Sequence, residues 1–179
     1  MMKNWSEVRA ADFIEFNPRL SIKRGTICTK VAMDKLLPFT KKIPETGKGA
    51  FSGGAKFCNG DTIMARITPC LENGKTAFID VLADNEVAFG STEFIVMRAR
   101  AGISDSQFIY YLATSPYFRN VAIQSMVGSS GRQRVQQGVL DELIITVPSL
   151  LKQKQISSIL CALDEKIANN NKINDNLAA

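Results

Sequence analysis

The chain has 179 residues, of which 45% are apolar and 22% charged, and it contains no histidine. That length fits one ordinary domain with an appendage, and the composition is that of a packed globular chain, which excludes the disordered, collagenous and disulfide-framework classes. The net charge is +5, and its placement along the chain says more than its size.

The opening stretch, "MMKNWSEVRAADF", lacks the apolar run of a secretory leader, and the sequence has no apolar run long enough to cross a bilayer. The expectation is a cytoplasmic protein without membrane contact. Cys28, Cys58, Cys70 and Cys161 form no Cys-x-x-Cys pair, and without histidine no metal site of familiar spacing can be drawn. The four are expected to be reduced, mostly buried thiols, with no metal or cofactor bound.

In chain order, "WSEVRAADFIEFNPRLSIKRGT" begins as a short helix or strand and runs into basic loop chemistry. From Lys23 to Lys56 there are eight basic residues (Lys23, Arg24, Lys30, Lys35, Lys41, Lys42, Lys48, Lys56) against Asp34 and Glu45. A local cationic excess of this kind suits a polyanion, nucleic acid first, although solvated lysines are common on any surface. Residues 41 to 60 hold five glycines and Pro44, and read as a long functional loop. Three strands follow. "DTIMARI" places Ile63, Ala65 and Ile67 on one face and Met64 and Arg66 on the other. "KTAFIDV" rises from a turn at Glu72–Gly74, and "EFIVMRA" is the third.

Ser104 to Met126 reads as helix. Ser104 and Gln107 have capping-box spacing, and Ser115-Pro116 restarts a second helix. After "GSSGRQRV" comes a strand, "ELIITV", ended by Pro148. The last thirty residues contain neither proline nor glycine, and Ser149 is a suitable N-cap. Ile156, Ile159, Leu160, Leu163, Ile167, Ile173 and Leu177 recur near a 3.5-residue spacing, with Asn170 and Asn174 at later seam positions. A continuous helix from Leu150 would be roughly 40 Å long. It either packs along its own domain or pairs with another helix.

Enzyme signatures fail one by one. "GSSGRQRV" has arginine where a phosphate-binding loop needs Lys-Ser/Thr. Asp61, Glu72 and Lys75 only approximate a metal-dependent nuclease, because two residues separate Glu72 from Lys75 where one is needed. Asn17-Pro18 is half of an amino-methyltransferase motif, without a glycine-rich cofactor loop. Histidine-dependent nucleophilic chemistry is closed. Recognition chemistry remains. Arginine reads guanine and glutamine reads adenine through paired hydrogen bonds, while serine hydroxyls and glycine-flanked amides suit phosphate oxygens. Arg132, Gln133 and Arg134, with Ser129 and Ser130 beside them, therefore form either a DNA-reading loop or a solvated turn.

The succession "FSGGAKFCNGDTIMARITPCLENGK", "GSTEFIVMRA", "FIYYLATSPYFRNVAIQSMVGSSGRQRV" and "LDELIITVPSLLKQKQISSILCALDEKI" closely resembles the specificity subunit of type I restriction–modification enzymes over nearly the whole chain. The best-matching part is the final stretch, including Gly128, Leu140, Ile144, Pro148, Gln153, Ile156, Ile159, Leu160, Leu163 and Asp164. The resemblance implies an α/β (α+β) target-recognition domain over 1–148, with a twisted mixed sheet and flanking helices. It implies a long coiled-coil helix over 149–179 that pairs and docks methyltransferase subunits. Such a subunit catalyses nothing. It reads a half-site of double-stranded DNA and positions methyltransferase and endonuclease subunits.

A full specificity subunit has two such domains and two helices, and this sequence carries one of each. The expectation is therefore a homodimer through Ile156, Leu160, Leu163, Ile167, Asn170, Asn174 and Leu177, reading an interrupted palindrome. Phosphate contacts are expected from Lys23, Arg24, Lys30, Lys41, Lys42, Lys48 and Lys56. Arg66, Lys75, Thr92, Arg132, Gln133 and Arg134 are the candidates for base edges. The alternatives are an interaction fragment that binds methyltransferase subunits without reading DNA, and the nuclease.

Overall fold

The computed structural model describes residues 5–178. Met1–Asn4, part of the stretch read for a leader, and Ala179 lie outside the described residues. Among the described residues ten strands and five α-helices follow one another, and the mixed α/β class expected from the sequence holds. The single sheet, however, resolves into three.

The central layer is an antiparallel sheet of β2 (Ile14–Phe16), β9 (Phe94–Ala99), β6 (Thr62–Ala65) and β7 (Thr76–Phe78), in that order. On one side lie α1 (Ala10–Phe13), α2 (Ser106–Thr114), α3 (Pro116–Gln124) and α4 (Gln137–Asp141). Phe13, Met64, Ile95, Met97, Ile109, Phe118 and Leu140 form the core on that side. On the other side Ile63, Phe94 and Val96 pack with Val31, Leu36, Phe57 and Ile79. That second core underlies the outer sheet, ordered β4 (Gly47–Ala50), β3 (Ile27–Val31), β8 (Ala88–Gly90), β5 (Lys56–Phe57).

Covered on both faces, β6 is buried at every position. The sequence expectation of one apolar face, with Met64 and Arg66 opposite it, is corrected accordingly. Ile63 and Met64 do point opposite ways, but each enters a core of its own.

The presumed long loop at 41–60 is also corrected, since it contains β4 and β5. Glycine at positions 47 and 49 had masked the strand signal, as glycine contributes no side-chain propensity. The first α2 cap is Asp105, whose carboxylate accepts the Phe108 N–H at 2.9 Å. Ser104 is instead buried and donates to the Phe13 carbonyl at 2.7 Å. Ser115 caps α3 with Pro116 at its first turn, as expected. The short helix α4 was not expected at all.

A two-stranded antiparallel ribbon, β1 (Trp5–Arg9) with β10 (Ile144–Pro148), joins the start of the described chain to the residues that launch α5 (Leu150–Ala178). The first turns of α5 are fastened to the α2 cap. Gln153, buried, donates to the Pro148 and Ile103 carbonyls and accepts the Asp105 N–H at 2.9 Å. Ser157 donates to the Asp105 carboxylate at 2.7 Å. All four cysteines are free thiols. Among the described residues, no helix is long and apolar enough to cross a membrane.

Candidate nucleic-acid interface

"GSSGRQRV" forms the tip and returning arm of a hairpin. Val127 and Arg134 exchange backbone hydrogen bonds at 3.0 and 2.9 Å. A four-residue turn closes the tip, with the Arg132 N–H on the Ser129 carbonyl. Its third residue, Gly131, has φ +77°, a conformation glycine enters without steric cost. Ser129, Ser130 and Arg132 are fully on the surface, while Gln133 is half-buried.

The returning arm runs against the end of β6. The Thr68 N–H bonds the Gln133 carbonyl, the Val135 N–H bonds the Arg66 carbonyl, and Ile67 bridges to Arg134. The structure thus brings the backbones of Arg66, Gln133 and Arg134 together.

It also corrects their roles. The Arg134 guanidinium lies against Glu93, with Nη2 at 2.7 Å and Nε at 2.9 and 3.0 Å from its carboxylate. Those hydrogen bonds from Arg134 hold the Glu93 carboxyl below the usual carboxylate range. An arginine whose fork is filled by carboxylate is not free to read guanine. Arg66 turns inward and donates to the Val135 carbonyl at 3.2 Å, and Lys75 likewise donates inward to the Met33 carbonyl at 3.0 Å. Of the base-reading candidates, Arg132, Thr92 and Arg134 are exposed, Arg134 with its guanidinium held by Glu93.

A second surface lies on the outer sheet. Lys30 of β3 and Lys56 of β5 both pair in register with Phe89 of β8. Phe51 stacks edge-on against Phe89 at 5.3 Å, and the Lys56 ammonium lies 5.5 Å over the Phe51 ring. Two cations therefore flank an aromatic pair on a sheet whose edge strand is glycine-rich, so a backbone can approach closely.

Beside this platform, Lys48 donates to Thr29 Oγ1 and to Glu86. Glu86 accepts from Thr29 Oγ1 at 2.6 Å and from two backbone amides, and its pKa falls to about 2, chiefly through the Thr29 hydroxyl. Lys48 is therefore partly neutralised. Lys23, Arg24 and Lys42 are exposed. The two surfaces meet at Ser91–Glu93. Ala55 bonds Ser91 and Gly90 on one side of that turn, and Glu93 holds Arg134 on the other, with Thr92 exposed between them.

Lys41 is the clearest correction. Its side chain is only 14% exposed, boxed by Phe78, Tyr110 and Tyr111, so it cannot reach a phosphate. The nuclease constellation also comes apart. Asp61 is buried and takes a bidentate bond from Arg98 at 2.8 and 2.7 Å, while Glu72 is an exposed turn residue. Among the described residues no cluster of carboxylates or thiols is arranged to hold a metal.

On α5 the seam residues expected from the sequence divide by burial. Ile156 packs on the molecule's own helical core, and Leu160 is half-buried. Ile159, Leu163, Ile167, Ile173 and Leu177 are more than half exposed. Asn170 and Asn174 are exposed as well.

Sequence reasoning missed Glu93, Glu86 and the Phe51–Phe89 pair. Their partners lie tens of residues away, where no local pattern could reveal them.

The family model for the type I restriction modification DNA specificity domain matches residues 2–179. The specificity subunit of the type I restriction enzyme EcoAI from Escherichia coli is 34% identical over 109 residues, covering 61% of this chain and 18% of that protein. The EcoEI specificity subunit from the same species is 32% identical over 116 residues, covering 65% and 19%. Among solved structures, the HsdS subunit from Thermoanaerobacter tengcongensis superposes with a TM-score of 0.75 at 20% identity, over 99% of this chain and 46% of that one. A structure concerning complex assembly and conformational transition of the type I restriction–modification system gives a TM-score of 0.74 at 19% identity, over 98% and 46%. The chain thus spans about a fifth of the curated relatives and about half of the solved ones.

Proposed function

The chain belongs to the type I restriction modification DNA specificity domain family, and from that premise we propose that it reads one half of a two-part sequence in double-stranded DNA. The observation that carries the reading is the family match across residues 2–179. Residues 1–148 form the recognition domain, and residues 149–179 form the helix that pairs with a second copy. The unit is not itself a catalyst. It works in the cytoplasm beside the chromosome and places methyltransferase and endonuclease subunits on the DNA.

The exposed groups divide the labour. Lys23, Arg24, Lys30, Lys42, Lys48 and Lys56 contact phosphates, which position the domain without reading sequence. Arg132 at the hairpin tip reads a base, with Ser129, Ser130 and Thr92 beside it. Arg134 supports that tip through Glu93. The apolar face of Leu163, Ile167 and Leu177 supports pairing of two α5 helices, because a soluble surface seldom leaves such a row uncovered. Two identical domains related by a two-fold axis would read an interrupted palindrome.

Modified-base sequencing of DNA from cells expressing this chain with its companion methyltransferase subunit tests the reading. A single interrupted palindrome, methylated on both strands, is expected. An asymmetric motif would remove the homodimer. Methyltransferase binding without any motif would leave only an interaction fragment.

A further inference from the structure

The Lys41 ammonium sits where the segment before β4, helix α2 and helix α5 meet. It lies 4.5, 5.2 and 5.7 Å from the ring centroids of Tyr111, Tyr110 and Phe78. It also donates to Tyr111 Oη at 2.8 Å and stands 3.4 Å from the Asp164 carboxylate on α5. Tyr111 Oη donates to the same carboxylate at 2.6 Å, and Cys161 Sγ lies 3.3 Å from the ammonium. An ammonium this enclosed has lost most of its hydration, so its anionic partner cannot be replaced by solvent at little cost. Asp164 is that partner, and it belongs to the helix rather than to the domain.

This contact is the outermost polar attachment between α5 and the body of the molecule. The innermost is Gln153 against Asp105, with Ser157 one turn on, and Ile156 and Cys161 pack between. Gln153 and Asp164 are eleven residues apart, about 16 Å along the helix. Beyond Asp164 every residue through Leu177 is exposed except half-buried Ala168. A rod held at one point swings, and held at two it has a direction. Past Asp164 the helix continues for about 21 Å, so a swing of about 10° moves its end by about 4 Å, close to one base-pair rise.

We propose that Lys41 is a positioning residue: by clamping Asp164 it sets the direction in which α5 leaves the recognition domain, and with it the gap between the two half-sites that a pair of domains can read. The gap part of this rests on the reading above, in which two copies pair through α5.

The test is a binding selection on duplexes carrying two half-sites at varied separations, beside a duplex with one half-site. Lys41→Met keeps the bulk of the side chain, and Asp164→Asn removes the charge at a half-exposed position where misfolding is not expected. Wild type should prefer one gap length. Both variants should spread over at least two neighbouring lengths, while affinity for the single half-site stays within twofold.

Unchanged gap preference in both variants would overturn the proposal. So would a matching loss on the single half-site, which would make Lys41 a phosphate contact after all. A second readout does not depend on DNA. Dyes carried on unnatural amino acids at positions 84 and 172, with one labelled copy among excess unlabelled protein, report the helix direction by energy transfer. The distance distribution should be narrow in wild type and broad in both variants. If wild type shows no gap preference, paired reading falls, and an unbroadened distribution would then sink the clamp by itself.

Discussion

At the scale of single residues, two carboxylates decide what the neighbouring cations can do. Glu86 gathers the Thr29 hydroxyl and amide, the Ala83 amide and Lys48. Its depressed pKa means the folded state holds the charged form more strongly than the unfolded chain does. The stabilisation is present above the unfolded carboxylate range and is lost as pH falls from about 4.5 to about 2. Glu86→Ala should therefore cost about 1–3 kcal/mol near neutrality. Denaturant titrations at a series of pH values should show the gap between variant and wild type closing across that window, and a gap independent of pH would show the charge to be immaterial.

Glu93 instead holds Arg134 beside the proposed reading loop. Arg132→Ala should relax preference at one base pair, costing about 1–3 kcal/mol on the cognate site if the contact is bidentate, and much less on random DNA. Equal losses on both would remove its reading role. The exposed, glycine-rich turn that carries Arg132 was legible in the sequence. The commitment of Arg134 to Glu93 was not, because Glu93 lies 41 positions away in sequence.

At the scale of elements, periodicity located α2, α3, β9, β10 and α5, and it failed where its assumptions fail. A strand with one buried face alternates, and β6 lies between two cores, so every position is buried. Strand β4 is half glycine and β5 is two residues long, so neither can produce a pattern. The helix α5 shows a subtler limit. Its apolar stripe was legible, but a stripe does not say that Ile156 serves the molecule's own core while Leu163 faces outward.

That division makes a paired prediction. Ile156→Asp should destabilise the single chain by about 3 kcal/mol or more, because it sets a charge against a packed apolar cluster. Leu163→Asp should leave single-chain stability within about 0.5 kcal/mol and abolish the dimer mass in light scattering. A dimer that survives Leu163→Asp would place the pairing surface elsewhere. Gly54, with φ +115° and no room for a Cβ against the Gly90 carbonyl, tests the junction of the two surfaces. Gly54→Ala should weaken DNA binding by displacing the 52–55 loop, measured by titration.

At the scale of the whole molecule, the basic segment that drew attention in the sequence is not one patch. Folding sends Lys41 inward to hold α5 and ties Lys35 to Glu45. Lys75, further along, also turns inward and is tied to a carbonyl. Lys30 and Lys56 remain beside an aromatic pair on the outer sheet, with Lys23, Arg24 and Lys42 in solvent. Counting cations in a sequence therefore overstates the charge a polyanion would meet.

Salt dependence measures the difference directly, since each neutralised phosphate contributes about −0.9 to the slope of log K against log salt on duplex DNA. Replacing both Lys30 and Lys56 by alanine should flatten that slope by about 2 on cognate and random duplexes alike. Lys75→Ala, which removes an equal formal charge per residue, should leave the slope unchanged. If Lys75→Ala flattens it and the double variant does not, the outer sheet faces away from DNA. The polyanion surface would then have to be sought around the Lys75 turn rather than at the Phe51–Phe89 platform.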